Sequence, residues 1–367
     1  MLTVASITGA LEQKYPPSLA ASWDNSGLQL GAGNEKVTGV LVALDCTMSA
    51  VKQAEEVGAQ LIITHHPLIF NGLKHICFDH PQGRLIRQLC SCGMSVYSLH
   101  TNLDRAPDGL NSHLARKLGI LNPQVFGEVI KQPYYKLVVY VPATHLHPVR
   151  EALAAAGAGH IGEYSHCSFA APGEGTFLPG PGTRPFLGQE GVLQQVEEYR
   201  LESIVSGHIL DKCINDLRAA HPYEEMAYEV YSLQQPAAGF GYGRYGQLAV
   251  EITLGELAAQ VKKNINISEV RIAGDIERKI NRAAVVSGSG ASMIAEAAAA
   301  GADVLITGDI KYHEAQEALS LGLNLIDAGH DGLEREAIAL LSNELKVSFP
   351  DTLQVFPYRE ELLFKIL

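Results

Sequence analysis

The sequence predicts an α/β core with mostly parallel sheets that is interrupted by an α+β insert. Short apolar segments alternate with helical segments before residue 129 and again after residue 241. Polar residues follow several of the apolar segments, as is typical of the carboxyl ends of parallel strands. Residues 130–240 carry a different pattern, with stretches rich in Gly and Pro. We therefore predict a core formed by residues 1–129 and 241–367 and an inserted domain at residues 130–240.

The composition is that of a globular chain large enough for two to three domains. Its 367 residues are 47% apolar and 19% charged, with a formal net charge of -12. This charge and the lack of a Lys/Arg run argue against double-stranded nucleic acid as a partner. No apolar run reaches the ~20 residues of a membrane span, and the first residues do not resemble a signal peptide. The sequence therefore predicts a cytoplasmic protein without a membrane partner.

The first core segment begins with a predicted helix at residues 2–14, where Val4, Ile7 and Leu11 have helical spacing. The following segment, Ala21–Gly31, is rich in turn residues and contains the single tryptophan, Trp23. Strands and helices then alternate along the chain. The predicted elements are the strands Val37–Asp45, Leu61–Thr64 and Ser95–Leu99 and the helices Met48–Val57, Arg84–Cys92 and Asp108–Leu118.

The middle of the chain resembles a split β-α-β-β-α-β module. Its predicted elements are the strands Tyr134–Val141, Val196–Val205 and Ala227–Leu233 and the helices Leu146–Ala156 and Ile209–Ala219. The Gly/Pro-rich segment Ala171–Pro185 is predicted to be a loop, and Gly239–Gly246 is predicted to be the return linker.

The first pattern resumes after the insert. The predicted strands are Gln247–Thr253, Val270–Ala273, Ala283–Ser287, Asp303–Ile306 and Leu323–Ile326, and a helix is predicted at Glu256–Asn264. Further helices follow the last three strands, and two of them carry His313 and Glu334. Polar residues again stand at three successive strand ends.

Two adjacent histidines, His65 and His66, follow a buried strand and precede Pro67, which cannot continue donating to a sheet. Ligands of open parallel sheets bind at such strand ends. An ordinary pair of loop histidines is the alternative interpretation.

The other strand ends supply a possible metal site. The candidate ligands are His65, His66, Asp104, His330 and Glu334, and Asp309 follows a neighbouring strand. His330 and Glu334 are four residues apart, so they share one helix face, although exposed helices often carry such pairs without a metal. Three imidazoles and two carboxylates suit two ions that share a carboxylate better than one structural zinc. The absence of thiolate favours two divalent ions such as zinc, iron or manganese.

Five ordered motifs carry a resemblance to a known family. They are Trp23-Asp-Asn-Ser-Gly-Leu, Thr64-His-His-Pro, His100-Thr-Asn-Leu-Asp, Thr307-Gly-Asp-Ile-Lys-Tyr-His and Gly329-His-Asp-Gly-Leu-Glu. Together they resemble the NIF-three-like family, also called the YbgI/YqfO family, whose members are commonly labelled GTP cyclohydrolase I type II homologues. The resemblance implies a two-lobed α/β core, a toroidal homohexamer and, as in longer bacterial members, a ferredoxin-like insert similar to PII or CutA proteins.

The resemblance also implies how a two-metal site is divided. His65 and His330 would hold one ion, His66 and Asp104 would hold the other, and Glu334 would bridge them.

Further residues remain candidates with alternatives. Asp309 and His313 are predicted to share a helix face and to act in catalysis, or else to be a helix cap and a satisfied histidine. For His100 the alternatives are that it contacts a metal or that it orients Asp104. For the segment Ser287–Gly290 the alternatives are that its backbone N–H groups bind a phosphate or that it is a turn without a ligand. The segment His221–Glu225 has ligand-type residues, which a turn before a strand explains equally well.

Two hypotheses about function follow. The first is a metal-dependent hydrolase that acts on a small phosphorylated or nucleotide-like substrate. The alternative is a metal-binding regulatory or scaffold protein without turnover, whose insert senses a ligand or mediates assembly. No residue set in the sequence accounts for purine ring opening, so the cyclohydrolase label is only the name of the family.

Overall fold

The computed structural model describes residues 1–127, 129–162, 164–234, 238–359 and 363. The chain forms two compact units, here called the core unit (Met1–Ile130 with Phe240–Leu367) and the insert unit (Lys131–Gly239). The predicted α/β class is confirmed. No helix in the described part of the chain is long and apolar enough to span a bilayer.

The helices and strands are numbered in chain order. Before the insert they are α1 Val4–Lys14, β1 Gly27–Leu30, β2 Gly39–Ala43, α2 Met48–Glu56, β3 Leu61–Thr64, α3 Pro81–Ser91, β4 Ser95–Ser98, α4 Thr101–Arg105, α5 Leu110–Lys117 and β5 Ile120–Phe126. Around and within the insert they are β6 Ile130–Gln132, β7 Tyr134–Pro142, α6 Leu146–Ala155, β8 Ser168–Phe177, β9 Gln194–Ser206, α7 Leu210–Ala220, β10 Tyr228–Ser232 and β11 Ala238–Phe240.

The remaining elements complete the core unit. They are β12 Gly243–Thr253, α8 Leu254–Ile265, β13 Arg271–Ala273, β14 Lys279–Ser289, α9 Ile294–Ala299, β15 Val304–Gly308, α10 Tyr312–Ser320, β16 Asn324–Asp327, α11 His330–Glu334, α12 Glu336–Ser348 and β17 Gln354–Pro357. Short 3-10 helices lie at Pro17–Leu19, Ala143–His145, Gly207–Ile209 and Ala291–Met293.

The first sheet of the core unit has the strand order β1-β4-β3-β2-β17. Its three pairings from β4 to β17 are parallel, and β1 is added antiparallel, against β4. Every residue of β2, β3 and β4 is buried, which matches the continuous apolar runs expected of strands covered on both faces. The edge strands β1 and β17 are not predicted by the sequence because they are short and only partly buried.

The second sheet has the order β13-β16-β15-β14-β12-β5 and is mixed, which corrects the prediction of mostly parallel sheets. Only the β14-β15 and β15-β16 pairs are parallel. The strands β5 and β12 flank the insert and pair antiparallel, with Gly243 opposite Phe126. They therefore form a hairpin in which the insert stands in place of the turn. Because the pair is antiparallel, its connection needs no crossover helix.

The insert unit has the element order β7-α6-β8-β9-α7-β10, and its four strands form an antiparallel sheet in the order β10-β7-β9-β8. Leu137, Val139, Val141 and Leu201 belong to its buried cluster, together with residues of α6 and α7 such as Leu217.

Two predicted irregular segments contain strands. The predicted loop Ala171–Pro185 is wrong in its first half, because β8 extends to Phe177. Since β8 is an edge strand, Pro172 can be accommodated there without loss of a ladder hydrogen bond. The predicted linker Gly239–Gly246 is also wrong over most of its length, because β11 ends at Phe240 and β12 begins at Gly243. A Cβ at Gly243 would lie 2.1 Å from the Phe126 ring, so glycine there allows β12 to approach β5.

The ends of the insert come together at the junction. The short strands β6 and β11 pair as a two-stranded ribbon, so the chain leaves and re-enters the core unit through neighbouring strands. The core unit therefore keeps its own β5-β12 pairing on either side of the insert.

We predict that the core unit folds without the insert. Replacing residues 131–239 by a short Gly/Ser linker should leave a cooperatively unfolding protein, because the two sheets and their buried residues belong to the core unit. Circular dichroism and thermal unfolding measure this, and metal analysis tests the candidate site. A variant that is folded but has lost metal that the full chain binds would contradict the prediction.

Candidate metal centre

The two adjacent histidines follow directly after strand β3, at its carboxyl end. The His65 N–H donates to Ala43 O (3.3 Å) and the His66 N–H to Leu44 O (2.9 Å), which extends the parallel pairing beyond the strand end. The Thr64 hydroxyl donates to the His66 carbonyl at 2.7 Å. His65 is fully buried and His66 is half-buried. The backbone thus fixes both imidazoles at the carboxyl end of the sheet.

The one-turn helix α11 brings a carboxylate to these histidines from the second sheet. His330 begins the helix and Glu334 ends it, and their side chains are 2.9 Å apart (Nε2 to Oε2). The same Glu334 oxygen lies 2.8 Å from His66 Nε2. His66 and Glu334 are 268 residues apart in sequence, so this contact joins the two chain segments of the core unit.

The other Glu334 oxygen faces a second group. His65 Nε2 lies 3.7 Å from Glu334 Oε1 and 3.9 Å from Asp104 Oδ1, which is too far for a hydrogen bond. His65 Nε2 is buried and has no hydrogen-bond partner among the described residues. The Ser287 hydroxyl donates to Asp104 Oδ1 at 2.9 Å. Glu334 therefore faces His66 and His330 with one oxygen, while its other oxygen faces His65.

His100 joins the same cluster. Potential ligand atoms of His65, His66 and His100 lie within 4.8 Å of one another, as do those of His66, His330 and Glu334. His100 Nδ1 donates to Asp24 Oδ1 at 2.8 Å. Its side chain is thus oriented by Asp24, which favours a position in the cluster over the alternative of orienting Asp104.

All four imidazoles of the cluster are held in the same way. Each Nδ1 lies 2.8 Å from an acceptor, namely Leu99 O for His65, Asp45 for His66, Asp24 for His100 and Asp309 for His330. Because a carbonyl or carboxylate oxygen accepts, each Nδ1 carries a hydrogen. This leaves Nε2 as the atom available to a metal ion, the arrangement that fixes metal-binding histidines in proteins.

The carboxylates attract positive charge to the cluster. The hydrogen bond to Glu334 raises the pKa of His330 to about 9. Burial opposes protonation of His66, but hydrogen bonds to Asp45 and Glu334 outweigh it and raise its pKa to about 10. An imidazole with both nitrogens facing carboxylates must be an imidazolium unless a metal ion replaces the Nε2 proton.

Glu334 and Asp104 respond differently to burial. Burial favours the neutral form of Glu334, yet hydrogen bonds from the surrounding imidazoles lower its pKa well below the ordinary value. For Asp104, burial dominates and raises the pKa. Glu334 is therefore the fixed negative charge of the cluster.

Two glycines make room for the site. Gly288 has φ +60°, and a Cβ there would lie 2.2 Å from Glu334 Oε1. A Cβ at Gly308 would lie 2.5 Å from the His330 backbone nitrogen, so the end of β15 approaches the start of α11 closely. The side chain of Glu334 thus occupies space that only glycine at position 288 leaves open.

The structure brings together all five predicted ligands but groups them differently from the division that the family resemblance implies. His66 and His330 share one oxygen of Glu334, and His65 and Asp104 lie near the other. The predicted pairing was His65 with His330 and His66 with Asp104.

The predicted shared helix face of Asp309 and His313 is wrong. Asp309 has φ +59° and precedes α10, which begins at Tyr312. Asp309 instead accepts from His330 Nδ1, whereas the exposed His313 lies 3.1 Å from Gln316 Oε1. Among the described residues, no recorded contact joins His313 to the cluster.

The segment Ser287–Gly290 does not offer all of its N–H groups to a phosphate. The Ser287 N–H donates to Asn111 Oδ1 at 2.7 Å and the Gly290 N–H to Thr307 Oγ1 at 2.8 Å. The turn instead contributes the Ser287 hydroxyl, which donates to Asp104, and the space at Gly288 that the Glu334 side chain occupies.

Sequence reasoning missed two residues that orient histidines. Asp45 follows β2, so the strand-end argument used for β3 could have found it. Asp24 lies in the turn-rich segment before β1, and only its long-range bond to His100 identifies it. Burial would raise the pKa of Asp24, but hydrogen bonds from His100 and Thr101 outweigh it and lower that pKa well below the ordinary value.

Two exposed aromatic side chains border the cluster. Trp23 is 57% exposed and Phe70 is 49% exposed, and their ring centroids are 5.9 Å apart. Both rings lie close to His100, with centroid distances of 6.0 Å and 6.1 Å. These rings form an apolar rim beside the polar cluster.

Comparisons with known proteins give a consistent result. The family model for Duf34/NIF3 (NGG1p interacting factor 3) matches residues 2–361. The GTP cyclohydrolase 1 type 2 homolog of Halalkalibacterium halodurans is 43% identical over 320 residues, which cover 87% of this chain and 86% of that protein. The protein of the same name from Bacillus subtilis is 44% identical over 319 residues, with 87% and 86% covered.

Solved structures agree with this result. A Bacillus cereus protein related to NIF3 superposes with a TM-score of 0.85 at 39% identity, covering 100% of this chain and 99% of that one. The Staphylococcus aureus protein SA1388 gives a TM-score of 0.71 at 32% identity, with the same coverage.

We predict that Gly288→Ala removes metal binding from the folded protein, because the new methyl group would displace the Glu334 carboxylate. Elemental analysis and Trp23 emission on metal addition measure the effect. Gly93→Ala is the matched control, since Gly93 has φ +61° and a Cβ there would have no atom of the described chain within 4 Å. Both variants carry a similar backbone cost of about 1 kcal/mol. Equal metal content in the two variants would contradict the prediction.

Proposed function

This chain belongs to the Duf34/NIF3 family, and from that premise we propose that it is a hydrolase dependent on two divalent metal ions. Its substrate in this proposal is a small phosphorylated or nucleotide-like molecule. The relatives carry the name GTP cyclohydrolase 1 type 2 homolog. We do not extend purine ring opening to this chain, because none of the described side chains accounts for that reaction.

The orientation of the histidines is the observation that carries the proposal. Four imidazoles donate from Nδ1 to fixed acceptors and belong to one cluster with Glu334. A buried polar atom without a hydrogen-bond partner is costly, and within the described part of the chain His65 Nε2 is such an atom. A metal ion is the partner that fits a neutral imidazole nitrogen facing two carboxylates.

The residues divide into two sets around Glu334. His66, His330 and one Glu334 oxygen would hold one ion, and His65, Asp104 and the other oxygen would hold the second. Imidazole and carboxylate ligands without thiolate favour zinc, iron or manganese. Such ions supply Lewis acidity, which stabilises negative charge that develops on oxygen during hydrolysis.

The surrounding residues would orient the ligands and the substrate. Asp45 and Asp309 hold His66 and His330 through Nδ1, and Asp309 is 56% exposed at its side chain. An exposed carboxylate beside the cluster is in a position to accept a proton from a reacting group. Trp23 and Phe70 offer ring faces to a planar or apolar part of a substrate. A catalytic role of His313 stays a prediction without a contact that supports it.

A regulatory or scaffold role is the second candidate. The strand order β10-β7-β9-β8 supports a ferredoxin-like insert of the PII or CutA kind. This unit also contains a cavity of about 650 Å³ that the core site does not need. Assembly into a homohexamer is part of this proposal through the family resemblance. Ligand binding without turnover would favour this candidate.

We predict different metal losses for Glu334→Gln and His66→Ala. Because Glu334 faces both sets of ligands, its replacement should weaken both ions, whereas loss of His66 should lower the stoichiometry towards one ion per chain. His147→Ala is the control, since this histidine is exposed on α6. Metal content and circular dichroism are the measurements. Two ions retained at unchanged affinity in folded Glu334→Gln would show that the bridging role is wrong.

We predict that Asp309→Asn loses turnover but keeps metal. The Asn carbonyl can still accept from His330 Nδ1, but it cannot take up a proton. The metal-loaded protein is screened against nucleotides and phosphoesters, and any activity is compared with the variant. Asp211→Asn, on the exposed surface of the insert, is the control. Unchanged turnover in Asp309→Asn would remove Asp309 from the reaction, and His313→Gln tests the other predicted catalytic residue.

A further inference from the structure

The cavity of the insert unit is lined by none of the residues of the candidate metal centre. Its volume is about 650 Å³, within the range of small-molecule sites in proteins. All of its lining residues lie between Tyr140 and Ala227, so the insert unit forms it alone. Nothing in the proposed hydrolase reaction uses these residues.

The floor of the cavity is the sheet face that does not contact α6 and α7. Leu201 and Tyr199 point to the helix side, where they belong to or pack on the buried cluster. Because side chains alternate along a strand, Glu198 and Arg200 point to the other side. Their partners on β8 are small, with Gly173 opposite Glu198 and Ala171 opposite Arg200. A Cβ at Gly173 would meet no atom of the described residues within 4 Å, so the space above it is open.

Aromatic rings form the walls. The Tyr223 ring centroid lies 6.1 Å from that of Phe177 and 6.2 Å from that of Phe186. The Tyr223 hydroxyl donates to Glu198 Oε1 at 2.8 Å, and Glu198 is only 9% exposed. A buried carboxylate is therefore fixed among aromatic rings at the floor of the cavity.

The charge of the lining is acidic. Four carboxylates line the cavity, namely Glu174, Glu198, Glu224 and Glu225. Arg200 is the single basic side chain among the described lining residues, and its guanidinium lies 3.4 Å from Glu202, which is not part of the lining. An anionic ligand would thus meet an excess of negative charge.

The segment His221–Glu225, which the sequence presented as possible metal ligands, instead builds this wall. His221 Nδ1 accepts from the Tyr223 N–H (3.2 Å), and Nε2 donates to Tyr140 O (2.9 Å). Both ring nitrogens are therefore occupied within the protein. Burial lowers the pKa of His221, which agrees with a neutral ring in this position. The histidine holds Tyr223 and the two following glutamates in place.

We propose that the cavity binds a small organic cation that carries an aromatic or aliphatic group. The carboxylates would compensate the positive charge, and the rings would cover the apolar part and face the cation. Glu198 is the principal charged contact, since it is the buried carboxylate of the lining. The proposal does not depend on the metal centre or on hydrolysis.

The test compares two probes of the same shape on the full-length protein. 3-Phenylpropylammonium and 3-phenylpropanoate are titrated in parallel by ligand-observed NMR and calorimetry. The ammonium probe should bind saturably with one site per chain, and the carboxylate probe should bind at least tenfold more weakly. Equal binding of the two probes, or no saturable binding of the ammonium probe, would overturn the proposal.

Two variants locate the binding. Gly173→Val fills the open space without a steric clash at Cβ and should weaken the ammonium probe at least tenfold. Gly180→Val is the matched control, since a Cβ there also meets no described atom within 4 Å and residue 180 does not line the cavity. Glu198→Gln should weaken the ammonium probe about tenfold while reducing its preference over the carboxylate probe. If Glu198→Gln fails to fold, Gly173→Val still tests where the ammonium probe binds. Unchanged binding in Gly173→Val would show that the probe binds elsewhere.

Discussion

The buried charge of Glu334 is the constraint on which the core unit depends. This side chain is 4% exposed and contacts imidazoles that come from both sheets. A buried carboxylate is stable only when positive charge and hydrogen bonds compensate it. Three features of the fold serve that compensation. They are the position of α11 after β16, the ends of β3 and β4, and the open space at Gly288. The loops at these strand ends therefore have less freedom than surface loops usually have.

Much of the core and most of the cluster could be predicted from the sequence, because both follow from local patterns. Buried parallel strands such as β3 appear as short apolar runs, and polar residues at their ends mark a site. His330 and Glu334 were recognisable from helical spacing alone. The family resemblance then specified a second metal ion, which spacing could only suggest.

What the sequence could not provide depends on contacts between distant segments. The edge strands β1, β5 and β17 lack a strong pattern, since each is only partly buried. The division of ligands around Glu334 depends on which oxygen faces which imidazole, and no spacing rule encodes this. The Gly/Pro content of β8 indicated a loop, whereas an edge position in a sheet accommodates both residues. Asp309 illustrates the same limit, because a left-handed backbone before α10 directs it to His330.

The hairpin formed by β5 and β12 has a consequence for the order of folding. Its two strands meet at Phe126 and Gly243, so closing it from an unfolded chain means closing a loop of roughly a hundred residues. If the contiguous insert folds first during synthesis, its ends come together and the loop that remains is short. The saving in closure entropy is about 2 kcal/mol for a tenfold shorter loop. The insert would then act as a kinetic template for the second sheet, and slow maturation of the insert would delay assembly of the core.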